Sequence, residues 1–466
     1  MLNRQQFPGP PLPLRVLQFG GGNFLRGFVD WLIDRLNEET DFDGGVAVVK
    51  PTERGDYDEL RAQEGLFSVA LDGIRRGELI ADRRIVHCVQ QVIQPYRERA
   101  AYLATARLPE LRFVVSNTTE AGIRFREEPL PETGMPREFP GKLTLWLHER
   151  FRAGLPGCIH LPVELIEDNG DALRDCVLRY AAAWGLGEDF AEWVRTDNHF
   201  CNTLVDRIVS GYPADRAAQL AAEIGGEDPL LVAGEYYHSW VISGPPLVAE
   251  ELPFGRTDLN VTFTDDLSAY REIKVRILNG AHTAIVPTGY LAGIDTVGEV
   301  MRDPEMSAFL EGVLYGEIIP SLDHDEGELK KFAADVLDRF RNPGIHHKLL
   351  DISLNSTTKF RTRLLPSLLA YREKTGELPD GIVRALAALF QFYRGFRRDE
   401  PIPLRDEADR IAFFQQEWSA YSAGTQDLET LVRNLLARSD WWGQDLNGVP
   451  GLTAAVTAHL LTYQDK

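Results

Sequence analysis

The stretch from Leu14 to Leu36 constrains the fold more than any other. Leu14-Arg-Val-Leu-Gln-Phe19 is a short apolar run that breaks at Gly20-Gly21-Gly22. It resumes as Asn23-Phe-Leu-Arg26-Gly-Phe-Val-Asp-Trp-Leu-Ile-Asp-Arg-Leu, with apolar residues at helical spacing. That order is strand, glycine turn, helix. Gly20 and Gly22 match the first two glycines of a phosphate-cradling turn, one allowing the tight bend and the other a close backbone approach at a helix N-terminus. The third position of that pattern, Leu25, is not glycine. Arg26 falls in the first helical turn, within reach of a phosphate oxygen.

Further strands are expected at Val46-Ala-Val-Val49, over Arg83 to Val89, and over Leu111 to Ser116. Strands alternating with helices imply a parallel, doubly wound sheet. Strand signals thin out beyond about residue 120. From about residue 265 helical patterns dominate, as over Pro304 to Ile318, Glu326 to Arg341, Gly381 to Tyr393 and Asp427 to Arg438. At 466 residues the chain is too long for one ordinary core. The reading is therefore α/β, with a doubly wound, Rossmann-type dinucleotide-binding domain over 1–265 and a mostly helical substrate domain over 266–466.

Phe19, Gly20, Gly21, Gly22, Asn23, Phe24 and Arg26 are the expected cofactor contacts at the glycine turn. An acidic residue ending the second strand would bind the adenosine ribose; Lys50-Pro-Thr-Glu53-Arg54-Gly55 stands there instead. Glu53 can serve the ribose, whereas Lys50 and Arg54 can accept a 2′-phosphate, so NAD and NADP both remain open. Asn117, Thr118 and Glu120 follow the strand ending at Ser116. They lie where a doubly wound sheet binds its ligand, beyond the strands' carboxyl ends.

Lys274-Val-Arg-Ile-Leu-Asn279-Gly-Ala-His282 sets a lysine, a carboxamide and an imidazole in an apolar run. At about 100° per residue, Asn279 lies about 140° and His282 about 80° round an α-helix from Lys274. Desolvation on such a face lets a lysine lose its proton near neutral pH, as a general acid/base requires. A snorkelling lysine beside a satisfied core histidine fits the same spacing.

The net charge of -20 argues against nucleic acid or an anionic membrane as partner. No run reaches the apolar length of a membrane span, and the N-terminus lacks an apolar signal core. Cys88, Cys158, Cys176 and Cys201 are scattered without metal-ligand spacing, fitting free thiols in a reducing cytoplasm. His346 and His347 would diverge by about 100° on a helix and have no third ligand at useful spacing, so no metal is expected. Oligomeric state is not encoded legibly.

Three segments together resemble the mannitol dehydrogenase family of zinc-independent, long-chain polyol and aldonate dehydrogenases. They are Gln18-Phe-Gly20-Gly-Gly22-Asn-Phe-Leu-Arg26, Leu204-Val-Asp206-Arg-Ile208 and the lysine segment. Pro51-Thr-Glu-Arg-Gly55 and the tail Trp442-Gly-x-Asp-Leu-x-x-Val-Pro-Gly-Leu-Thr453 extend the likeness towards members acting on keto-uronates and aldonates. The resemblance implies an NAD-dependent hydride transfer. Lys274 would be the general acid/base, and Asn279 and His282 would polarise the reacting oxygen. Asp206 would lie on the substrate side, and Asn169, in Glu167-Asp168-Asn169-Gly170, would face the nicotinamide.

An acid substrate also needs a cation. Lys359, Arg361 and Arg363 form the densest basic cluster of the second half; on a helix Lys359 and Arg363 share a face, and in an extended stretch all three do. The same chemistry on an epimeric keto-uronate or a neutral polyol is the nearest alternative. A non-catalytic NADH-binding sensor is the alternative of another class.

Overall fold

The computed structural model describes residues 1–119, 121–344 and 347–463. The chain divides into two compact units. Unit 1 comprises Met1–Asp72 and Leu79–Leu267; unit 2 comprises Gly73–Glu78 and Ser268–Lys466.

Unit 1 is built on a parallel sheet of β1 (Leu14–Phe19), β2 (Gly45–Val49), β3 (Val89–Ile93), β4 (Phe113–Ser116), β5 (Ile159–Pro162) and β6 (His199–Phe200). Their spatial order is β3-β2-β1-β4-β5-β6, and every neighbouring pair runs parallel. This is the doubly wound order, with its switch point between β1 and β4. Because side chains alternate along a strand, β1 feeds two cores. Val16 packs with Leu25, Phe28 and Leu32 of the helix that follows. Leu17 and Phe19 pack with Tyr102, Leu143 and Trp146 on the other face.

Two expectations from sequence fail in instructive ways. The apolar run from Arg83 is not one strand: Glu78–Val86 ends beside Phe67–Arg75 in a second sheet, and β3 begins only at Val89. The break at His87 and Cys88 is pinned by Asp34, whose Oδ1 accepts both of their backbone N–H groups at 2.8 and 3.0 Å. Strands also continue well past residue 120. Besides β5 and β6 they include Asn202–Asp206, Val232–Glu235, Ser239–Ser243 and Val261–Thr264. They are short and carry buried polar residues, which hides the pattern. His160 of β5, for example, is wholly buried, 3.1 Å from Asn198 Oδ1 and stacked on Phe200.

Unit 2 is helical around one large core. At its centre the helix Gly280–Leu291 packs on Asp380–Phe392. The helices expected from sequence form as Pro304–Glu311, Glu326–Arg341, Asp380–Phe392 and Leu428–Leu436. The first of these continues as a π-helix over Gly312–Ile318. Among the described residues, no helix is long and apolar enough to cross a membrane.

Candidate active site

In unit 1 the two loops flanking the switch point meet. Asn117 N–H donates to Phe19 O at 3.2 Å, and a Cβ on Gly20 would come within 3.2 Å of Asn117 O. Gly20 also has φ +119, a conformation side chains resist. Gly22 is extended and open, with nothing within 4 Å of the place a Cβ would occupy. The helix starting at Asn23 has no side-chain cap, so its first amides face outward. Together these make a cradle that fits an anionic phosphate.

The other residues expected at the cofactor divide sharply. Phe19 is a core side chain, 4.8 Å from Phe139, so only its backbone meets the turn. Phe24 stacks on Phe28. Asn23 is exposed and accepts from Arg26 Nη2 at 2.7 Å. Arg26 itself turns inward over the Phe67 ring, and burial pulls its pKa down despite Asp228 and Asp30 nearby.

Lys50 is buried too. Its ammonium donates to Thr52 O, to Thr52 Oγ1 at 3.1 Å and to Arg54 O at 2.6 Å, holding its own loop closed. Glu53 and Arg54 are exposed on that loop. Thr118 gives both its N–H and its hydroxyl to Glu164 Oε1, at 2.9 and 3.0 Å, while Asn117 keeps a half-buried carboxamide. Glu120 lies outside the described residues.

Asn169 is fully committed to the protein. Its amide donates to Pro162 O, Glu164 O and Thr203 O, and its oxygen accepts from Thr203 N–H at 2.8 Å. It ties β5 to the strand Asn202–Asp206, which ends in half-buried Asp206. Arg207, next in sequence, is not at the surface. It is buried against Trp31 and donates to Gly27 O, Tyr236 O and Tyr237 O.

Sequence reasoning missed two contributors here. Glu164 anchors Ser116 and Thr118 and was findable as an acid just past a strand's carboxyl end. Tyr57 accepts Gly21 N–H at 2.8 Å. No local pattern pointed to it, because the contact spans 36 residues.

In unit 2 the lysine segment is not α-helical. Lys274–Asn279 is a π-helix leading directly into Gly280–Leu291, and Gly280 N–H reaches Val275 O as well as Ile277 O. Hydrogen bonds spanning five residues stack residues five apart. Lys274 and Asn279 therefore align along one face rather than diverging by the angle an α-helix would impose. Both are half-buried.

The His282 ring lies 4.3 Å from Phe340 and 5.2 Å from His347. Burial, helped by the neighbouring His347 ring and by the positive Arg339 and Arg363, drives its pKa well below the imidazole range. His282 is therefore neutral at physiological pH. The Leu278 backbone, opposing that shift, lies beside the ring.

The basic cluster forms the helix Ser356–Arg363. Lys359 and Arg363 share its inner face, and Arg361 is exposed. Arg363 Nη1 reaches Thr283 Oγ1, one residue beyond His282, at 3.4 Å, and meets no carboxylate among the described residues. Lys359 donates to Ile352 O at 2.6 Å, and its pKa is lowered first by burial and then by Arg363. Arg339, drawn in from another element, adds to this positive lining, and the His347 ring, its pKa lowered by burial, stands beside it as a neutral imidazole. His346 lies outside the described residues. Among those described, no group of three or more His, Cys, Asp or Glu is arranged to hold a metal.

The sequence matches the Mannitol dehydrogenase Rossmann domain over residues 14–255 and the Mannitol dehydrogenase C-terminal domain over 266–464. It is 47% identical over 469 residues to an altronate oxidoreductase of Yersinia enterocolitica, covering 100% of this chain and 97% of the relative. It is 49% identical over 473 residues to an altronate oxidoreductase of Escherichia coli strain 536, again covering 100% and 97%. Among solved structures it resembles D-sorbitol dehydrogenase in substrate-free form, with a TM-score of 0.78 at 21% identity, covering 100% of this chain and 98% of that one. It also resembles Pseudomonas fluorescens mannitol 2-dehydrogenase in ternary complex with NAD and D-mannitol, with a TM-score of 0.64 at 22% identity, covering 100% and 97%.

Proposed function

Because the chain belongs to the mannitol dehydrogenase family, we propose that it is an NAD-dependent altronate oxidoreductase, interconverting D-altronate and D-tagaturonate on a hexuronate catabolic route. The observation that carries this reading is the 47% and 49% identity to altronate oxidoreductases along essentially the whole chain. Arg363 supports the acid substrate. A desolvated guanidinium with no carboxylate partner among the described residues, in a protein of net charge -20, suits a carboxylate ligand. Lys359 stands behind it on the same helix face, whereas exposed Arg361 has no place in that role.

The glycine turn, the uncapped helix amides and Asn117 suit a dinucleotide. In the loop after β2, Lys50 is engaged by its own loop, while Glu53 is exposed towards a ribose diol and Arg54 is exposed as the cation for a 2′-phosphate, so the comparison of NADH with NADPH decides between them. When bound, the cofactor accepts or supplies the hydride. The residues of unit 2 handle the oxygen and its proton. In the oxidative direction Lys274 Nζ takes the alcohol proton as the C–O bond becomes a carbonyl; in reduction it returns that proton. Asn279 donates to the oxygen as negative charge develops on it. His282, neutral, joins Asn279 in binding and polarising that oxygen. Asp206 remains assigned to the substrate side, and Asn169 acts by holding the strand that carries Asp206.

The test is a substrate panel with NADH and NADPH: tagaturonate, fructuronate and fructose for reduction, altronate and mannitol for oxidation. Fastest turnover of tagaturonate with NADH is expected; preference for fructuronate or fructose overturns the substrate assignment. Lys274→Ala should lower turnover by about 10²- to 10⁴-fold, the usual contribution of general acid/base catalysis, with NADH affinity unchanged.

A further inference from the structure

The inward turn of Arg26 leaves the glycine turn without the cation expected to meet a phosphate. Another donor is placed to take that part. Tyr57 closes the loop that follows β2 and points back at the turn, where its oxygen accepts Gly21 N–H at 2.8 Å. The ring edge lies so close that a Cβ on Gly21 would come within 3.0 Å of Tyr57 Cε2, so the phenol is fixed by packing as well as by the hydrogen bond. Among the described residues nothing accepts the phenol's own hydrogen. Burial raises its pKa, so the hydroxyl keeps that hydrogen at physiological pH. The side chain is only half-buried, which leaves its oxygen within reach of a ligand lying on the turn.

We propose that Tyr57 is a cofactor-binding residue, donating its phenolic hydrogen to a phosphate oxygen of the dinucleotide beside the open amides at Gly22 and Asn23. This rests on the reading of the glycine turn as a dinucleotide site. Accepting from Gly21 N–H polarises the phenol and makes it a better donor. Phosphate recognition at this turn is then the work of neutral donors, backbone amides and one hydroxyl, with the charge of Arg26 held behind them in the protein.

Tyr57→Phe keeps the ring against Gly21 and removes only the hydroxyl. Dissociation constants for NADH, ADP-ribose and adenosine are to be measured on wild type and variant, with the unfolding midpoint of the ligand-free proteins. The expected result is about a tenfold weaker binding of NADH and of ADP-ribose, the loss of one hydrogen bond to a charged group. Adenosine affinity and the midpoint should be unchanged. NADH binding that is unaltered or tighter in the variant overturns the proposal, since the phenol would then merely occupy the Gly21 amide. An equal loss for adenosine, which has no phosphate, also overturns it, because Tyr57 would then be shaping the nucleoside pocket. Failure of the wild type to bind NADH at all would instead remove the dinucleotide reading.

Discussion

Asp30 is the residue with the most to say about pH. It is wholly buried beneath the glycine turn, where Gln18 Nε2 donates to its Oδ2 and to Gly20 O, both at 3.2 Å. Its other oxygen has no partner among the described residues. Burial, only partly opposed by Gln18 and Arg26, pushes its pKa up to about 7. The folded protein thus holds this proton more tightly than the unfolded chain does. Stability from the site is full below the ordinary carboxylate pKa and is lost as pH rises towards 7. At about 1.4 kcal/mol per unit, the total is on the order of 4 kcal/mol. Asp30→Asn removes the titration. Melts at pH 5 and pH 8 should show the wild type losing ground to the variant at the higher pH, by about 2.7 kcal/mol, the part of the total that falls between pH 5 and a pKa of about 7; parallel pH dependence in the two proteins would refute the assignment.

At the scale of elements, the helix Ser356–Arg363 separates its three cations by side. Arg363→Ala should raise KM for altronate by about 10- to 100-fold, the loss of a hydrogen bond between charged groups, without changing the kinetics of any slow mannitol oxidation. Arg361→Ala should change neither. Equal effects from both substitutions would mean that net charge matters, not position. The sequence could say that Lys359 and Arg363 share a face only if the segment were helical, and it is. The glycine turn between β1 and the helix at Asn23 was legible because glycines and apolar periodicity are local signals. The π-turn at Lys274 was not: nothing in Lys274 to Asn279 distinguishes five-residue hydrogen bonds from four. Nor was the inward course of Arg26, which depends on Phe67, or the full commitment of Asn169, which depends on Thr203. The short strands past residue 120 were hidden because polar residues such as His160 find partners only in the folded sheet. Residues whose roles are set within about five positions could be read; those set by distant partners could not.

At the scale of the molecule, each unit has its own cores, so unfolding need not be a single transition. On the proposed placement of the dinucleotide at the glycine turn, NADH should raise the midpoint of unit 1 first. Saturation at 100 times Kd contributes about 2.7 kcal/mol. Calorimetry with and without NADH checks this, and an equal shift of every transition would show that the two units unfold as one.

The assignment of Gly73–Glu78 to unit 2 has a consequence for how such chains can recombine. The backbone passes from one unit to the other at Asp72, returns by Leu79, and passes over again after Leu267. In unit 2, Gly77 N–H donates to Asp338 Oδ2 at 3.3 Å. A hybrid made by joining the first 267 residues of one relative to the remainder of another would carry a borrowed hairpin tip into a foreign helical body. Interchangeable halves in this lineage therefore need two exchanges, the obvious crossover and a short insert at the hairpin, and a gene split at the single linker breaks a seam that was stitched twice.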